Sequence, residues 1–219
     1  MHKHERLSLH VITGRAEDAS APWKGFQRCK SADPATVDPT HQNERMVRAD
    51  YEQLFLDPLK ALLLDLTKGS AAPQSPILEV IELLMWSPHF RPEVPNRTLE
   101  IFSDLLHHTK SLSHLARLPD PCAVLASNIG SRLKSHDWRK VKMVLHYQRN
   151  PRDAARQGDA HRQWWVRLFR LLGASEIFDG AMLIVDDNAA CGKEPSRTTK
   201  RAPAGKRPRP PVQFSEAAP

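Results

Sequence analysis

An all-α fold is what this sequence predicts, and three observations carry the prediction. Apolar residues recur at helical spacing through the middle of the chain, and strand-like alternation is almost absent there. Breaks rich in proline, glycine and serine separate segments of ordinary helix length. In order, these segments make about seven short helices, packed as an irregular bundle or a HEAT-like stack with no residue pattern repeating at a fixed period.

The first helical face comprises Met46, Leu54, Phe55, Leu59, Leu62, Leu63 and Leu66. Pro58 removes an amide donor from it, so a break or kink is expected near Leu56-Asp57. Ser75-Pro76 opens the next helix, with serine as N-cap and a face of Ile77, Val80, Ile81, Leu84 and Met85. After the proline-rich turn from Pro88 to Pro95, Thr98 to His108 reads as a helix through Leu99, Ile101, Phe102, Leu105 and Leu106. Ser111 to Leu118 adds a short helical piece, and Cys122 to Leu133 aligns Val124, Leu125, Ile129 and Leu133. Asp137 is placed to cap a helix holding Trp138, Val141, Val144, Leu145 and Gln148. The last helix, Arg156 to Leu172, carries Trp165, Leu168 and Phe169 on one face.

Composition sets the domain limits. Of 219 residues, 40% are hydrophobic, enough for one core, and 18 are proline, gathered before residue 43, between 73 and 95 and after 194. Segments of that kind bury too little apolar surface to offset about 1–2 kcal/mol of ordering cost per residue. The expected organisation is a mostly disordered segment over 1–42, an α-helical interaction domain over 43–180, and a disordered Pro/Lys/Arg-rich tail over 181–219. Leu7, Leu9 and Val11, alternating with Ser8 and His10, suggest one short strand in the first segment. Cys29, Cys122 and Cys191 are sparse and odd in number, which fits a reducing compartment better than a disulfide framework. The polar N-terminus does not read as a signal peptide, and no apolar run reaches the length of a membrane span.

Charge is unevenly spread. Residues 129–175 hold 11 lysines and arginines against 3 acids, whereas residues 43–128 hold 8 against 11. A local positive field of this kind attracts polyanions or acidic protein surfaces. The partner-binding surface is therefore assigned to Arg139, Lys140, Lys142, Arg149, Arg162, Arg167 and Arg170. Trp138 and Trp165 continue apolar stripes and belong to the core; Trp164 lies off the stripe and is the aromatic expected at the surface. On nucleic acid these arginines would neutralise phosphates while Trp164 stacked a base.

Two short patterns lie near the C-terminus. Lys206, Arg207 and Arg209, among prolines that hold the segment extended, resemble a monopartite nuclear import signal and imply an importin-type receptor. Leu183, Ile184 and Val185, followed by Asp186 and Asp187, resemble a SUMO-interacting segment, in which an apolar strand pairs with a sheet edge. The plainer reading makes this segment a final strand or helical turn closing the core.

Catalytic and metal signatures are missing from the sequence. It has no G-x-S-x-G, no G-x-x-x-x-G-K-S/T and no H-E-x-x-H. His2-x-His4 and His107-His108 lack a second ligand pair for zinc, and Cys122 sits in a helical stripe as a small buried hydrophobe. No cofactor is expected. These residues lead to a nuclear, non-catalytic adaptor or scaffold subunit whose partner is an acidic protein surface, with chromatin components in scope. The alternative is direct DNA or RNA binding through the Arg-rich stretch at 132–170.

Overall fold

The computed structural model describes residues 5–14, 23–30, 34, 37–38, 40–66, 73–184 and 190–191. The chain divides into Met1–Ala189 and Ala190–Pro219, and only residues 190 and 191 of the second unit are described.

The first unit is mixed α/β, which overturns the all-α expectation. Its centre is a four-stranded sheet in the order β3 (Arg97–Ser103), β4 (Val141–Tyr147), β5 (Glu176–Asp179) and β6 (Met182–Leu183). β3, β4 and β5 run parallel, and β6 returns antiparallel on β5. Between β3 and β4 the chain forms α4 (Pro121–Ala126) and α5 (Asn128–Lys134); between β4 and β5 it forms α6 (Asp159–Leu172). Consecutive parallel strands joined by right-handed crossovers place both connections on the same side of the sheet. α6 packs against α4, and α5 packs against α3 (Ile77–Met85).

Two segments expected as helices are strands. Thr98–His108 supplies β3, where Leu99 and Ile101 face inward while Thr98, Glu100 and Phe102 face out. Asp137–Gln148 supplies β4, where Val141, Met143 and Leu145 are buried. β-branched and aromatic residues fit this pleated geometry, and β3 and β4 pair in parallel along the register from Arg97↔Val141 to Ser103↔Tyr147. Ser111–Leu118 holds turns and bridges instead of a helical piece. α3 forms where expected, but its N-cap is Pro76 and no side chain caps it. α4 and α5 divide the single helix read over Cys122–Leu133. Ser127 separates them, accepting from the Gly130 amide at 3.4 Å and donating to the Val124 carbonyl at 2.6 Å.

The core lies between the inner sheet face and the helices. It joins Met143, Leu145 and Ile177 to Trp138, Trp165, Leu168, Phe169, Leu78 and Leu133. Each such side chain contributes about 1.5–3 kcal/mol by leaving water. Trp138 and Trp165 are buried there, as their stripes imply. The amino edge is closed by Arg97, whose buried guanidinium donates to the carbonyls of Phe90 (3.2 Å), Asp137 (2.8 Å) and Arg139.

Before α3 the chain forms an antiparallel pair, β1 (Arg6–Val11) and β2 (Trp23–Cys29), with a register shift between Leu9 and His10. The strand expected near Leu7–Val11 is β1. Next comes α1 (Glu44–Tyr51), a π-helical turn (Glu52–Leu56) and α2 (Asp57–Leu66). The helix does not break at Pro58. It widens to π geometry immediately before the proline, with the Asp57 amide bonding to the Glu52 carbonyl. Phe55, on the π turn, packs edge-on against Phe26 at 5.6 Å. Of the apolar face read over 46–66, only Phe55 is buried.

Candidate interaction surface

The inner face of the sheet is sealed, and the outer face is not covered by any helix among the described residues. Cross-strand register arranges the outer side chains in rows: Thr98, Lys142 and Glu176; Glu100, Val144, Phe178 and Leu183; Phe102 and His146. Phe102 is 65% exposed and lies parallel to the His146 ring, with centroids 3.9 Å apart. Glu100 Oε2 lies 3.2 Å from His146 Nε2 and so holds that ring in place. The Lys142 ammonium sits 4.2 Å from the centre of the Phe178 ring. Glu100, Lys142, Val144, His146 and Phe178, with Gly180 and Ala181, line a shallow groove of about 530 Å³, and Phe102 stands beside it on the His146 ring. The result is a preorganised apolar platform with charges fixed at its borders. It suits docking of another surface, because a parallel sheet ordinarily has both faces buried.

A polar network sits behind the carboxyl ends of β3 and β4. Leu105 has φ +56°, a left-handed conformation that costs a side-chain-bearing residue about 1–2 kcal/mol. Side chains hold it there: Ser103 Oγ accepts from the Leu105 amide, Asp104 Oδ1 accepts from the Leu106 amide, and Trp165 Nε1 donates to the Leu105 carbonyl, each at 3.0 Å. Gln157 donates to the carbonyls of Asp104 and Gln148, tying the two strand ends together. Deeper, Tyr147 Oη is 2.7 Å from His161 Nδ1, and His161 Nε2 is 3.0 Å from His114 Nδ1. Burial pushes His107 down to about 4 and His114 down to about 3, with neighbouring histidines adding to both shifts. Burial also lowers His161, against the opposing pull of Asp104 and the Leu105 carbonyl. His114 packs against Trp164 and Trp165, with His107 and His161 against its own ring, and the three are neutral core groups that link strand ends to helix.

The basic residues do not form one patch. Arg139 and Lys140 occupy the turn before β4, Arg149 follows its far end, and β4 between them spans about 20 Å at roughly 3.3 Å per residue. Lys142 lies on the outer sheet face. Arg162 is engaged by Asp179 and Asp159 at 2.6 Å each. Arg167 has Asp120 at 3.8 Å. Arg170 donates to the carbonyls of Ser175 and Ile184. Trp164 is 5% exposed and donates to the Pro119 carbonyl, so it offers no ring face for a base. A run of charge along the sequence is thus divided by the strand inside it.

Leu183 pairs with Phe178 in β6, and the Ile184 amide donates to the Ile177 carbonyl at 2.8 Å. Val185, Asp186 and Asp187 lie outside the described residues, as do Lys206, Arg207 and Arg209. Cys122, half-buried at the second position of α4, is disulfide-bonded, as is Cys191, which overturns the small buried hydrophobe expected there. Among the described residues no group of three or more His, Cys, Asp or Glu could hold a metal, and no helix is long and apolar enough to cross a membrane.

Sequence reasoning missed the outer-face constellation of Glu100, Phe102, Lys142, His146 and Phe178. Its signal was present as alternation: Thr98, Glu100 and Phe102 about Leu99 and Ile101, and Lys142, Val144 and His146 about Met143 and Leu145.

No protein-family model matches this chain, and no curated protein or solved structure is detectably similar to it.

Proposed function

We propose that this chain is a non-catalytic protein-interaction module, an adaptor or scaffold subunit that works in the nucleus. The observation that carries the reading is the uncovered outer face of the parallel sheet, with Phe102 exposed on the fixed ring of His146. An exposed aromatic ring held beside a groove is suited to be the energetic centre of a protein interface. The partner is a segment that presents an apolar side chain to Phe102 and Phe178. Its flanking acids meet Arg149 and Arg152, which are exposed just beyond the carboxyl end of β4. Nuclear entry rests on the Lys206, Arg207 and Arg209 cluster in the sequence.

The nucleic-acid alternative is weaker. Trp164 is buried, Arg162 is held by carboxylates, and the platform carries Glu100 and Glu176 against one ammonium. Phosphates would be repelled where the aromatic rings are best placed to stack bases.

The test uses the full chain as bait in nuclear extract, comparing wild type with Phe102→Asp and with Arg139→Glu as a distant charge control. Partners retained by wild type and the control but lost with Phe102→Asp support the reading. Equal retention by all three would reject the sheet face. A fluorescent fusion carrying alanine at Lys206, Arg207 and Arg209 should leave the nucleus; unchanged nuclear signal would remove that half of the proposal.

A further inference from the structure

α3, the 111–119 loop and the α4–α5 hairpin border a half-open cavity of about 370 Å³. We propose that it binds a small amphiphilic carboxylate, an aromatic or short aliphatic acid, with the carboxylate on Arg132 and the apolar body inside.

The walls set the body of the ligand. Leu112, Pro119, Val124 and Ile129 give the cavity an apolar lining, and its size falls at the small end of ligand pockets. The α4–α5 wall is rigid. A Cβ on Gly130 would stand 2.2 Å from the Val124 carbonyl oxygen, so the two short helices are in backbone contact and cannot close further. A site of this kind is formed before the ligand arrives and loses little affinity to ordering.

Arg132 sets the charge of the head group. Its guanidinium is half exposed at the mouth of the cavity, and the carboxylate oxygen beside it, Glu82 Oε2, is 3.8 Å away, beyond hydrogen-bond length. No N–H of that side chain donates a hydrogen bond among the described residues. A planar fork with donors to spare matches a carboxylate bidentately. Asn128 and Ser111 add polar groups to the lining.

An ammonium would fit poorly. Glu82 already accepts from Trp86 Nε1 at 2.7 Å and is flanked by Arg132 and His136. Glu79 also lines the cavity, but its Oε2 is sealed from solvent without a hydrogen-bond partner, 3.8 Å from His107 Nε2. Burial raises the Glu79 carboxyl above its ordinary value, with its own backbone amide and Arg132 opposing the shift and Glu82 adding to it.

Fluorine NMR of the full chain with three probes of similar shape tests the site: 4-fluorophenylacetate, 4-fluorobenzylamine and 4-fluorotoluene. Saturable binding of the acid at millimolar concentration or below is expected, with amide shifts at Leu112, Val124 and Ile129 and no saturation by the other two. Arg132→Gln and Asn128→Asp are exposed substitutions whose folding is checked by melting. Arg132→Gln should weaken the acid by about tenfold or more, and Asn128→Asp by a smaller factor. The proposal is overturned if the acid does not bind, if amine or toluene binds equally well, or if folded Arg132→Gln binds the acid unchanged. Equal binding of the neutral probe would instead mark the cavity as a socket for an apolar side chain.

Discussion

The two faces of β4 meet different surroundings within a single seven-residue strand. Val141, Met143 and Leu145 are fully buried against Trp138, Trp165 and Phe169, whereas Lys142 and His146 look out onto a groove that no described helix covers. Both sets sit on the same backbone, which pairs with β3 on one edge and with β5 on the other. Stability is therefore concentrated on one side of the strand and recognition on the other. Substitutions one residue apart should separate folding from binding.

The sharpest break in that contrast is Leu145→Ala against His146→Ala. The first leaves a cavity in the core and should cost about 2–5 kcal/mol in chemical denaturation. The second should stay within about 0.5 kcal/mol. Similar losses for both would mean that the outer face is buried in solution.

Acid provides the next test, because the neutral rings of His107 and His114 lie on the sealed side. The unfolded chain takes up protons near the ordinary histidine value of 6.5; the folded chain holds these groups neutral down to about 4 and about 3. Stability is therefore intact above pH 6.5 and falls as pH drops toward 4, by about 1.4 kcal/mol per pH unit for each group. Urea midpoints across that window should shift accordingly, and a flat profile would show that the rings are solvated.

Gly130→Ala probes the helical layer behind the core. Its new methyl would meet the Val124 carbonyl and the Leu125 backbone, so a loss of about 1–3 kcal/mol in melting experiments is expected. The smallest effect belongs to the exposed turn before β4. Lys140 has φ +64°, and Lys140→Gly should gain up to about 1 kcal/mol by relieving that strain, with binding unaltered.

Legibility in the sequence followed segment length and periodicity. α6 was readable because Trp165, Leu168, Phe169 and Leu172 recur at helical spacing within a 14-residue helix, where no strand pattern competes. α3 was readable for the same reason. β3 and β4 were not. Each lies in an apolar run where Leu99, Phe102 and Leu106, or Val141, Val144 and Leu145, also satisfy a helical period, and seven residues are too few for one period to exclude the other. Pairing decided the outcome, since β3 finds its strand partner in β4, more than forty residues away, and β4 pairs with both β3 and β5. The interaction surface was hidden for the same cause. Phe102 and His146 become neighbours only once register is set, and the basic run looked continuous because the strand dividing it was read as a helix. Burial of Trp164 depends on the Pro119 carbonyl, 45 residues away, which local periodicity does not reveal.

Arg97 also shapes how proteases meet this chain. Arg139 is 86% exposed in a tight turn, which would ordinarily invite trypsin. The carbonyl that must be attacked there is the one gripped by the buried Arg97 guanidinium. Cutting after Arg139 thus requires the amino edge of the sheet to open first. Arg149 and Arg152 are exposed at the opposite edge, and no hydrogen bond to their carbonyls is seen among the described residues, so trypsin should nick the native protein there before it cuts after Arg139.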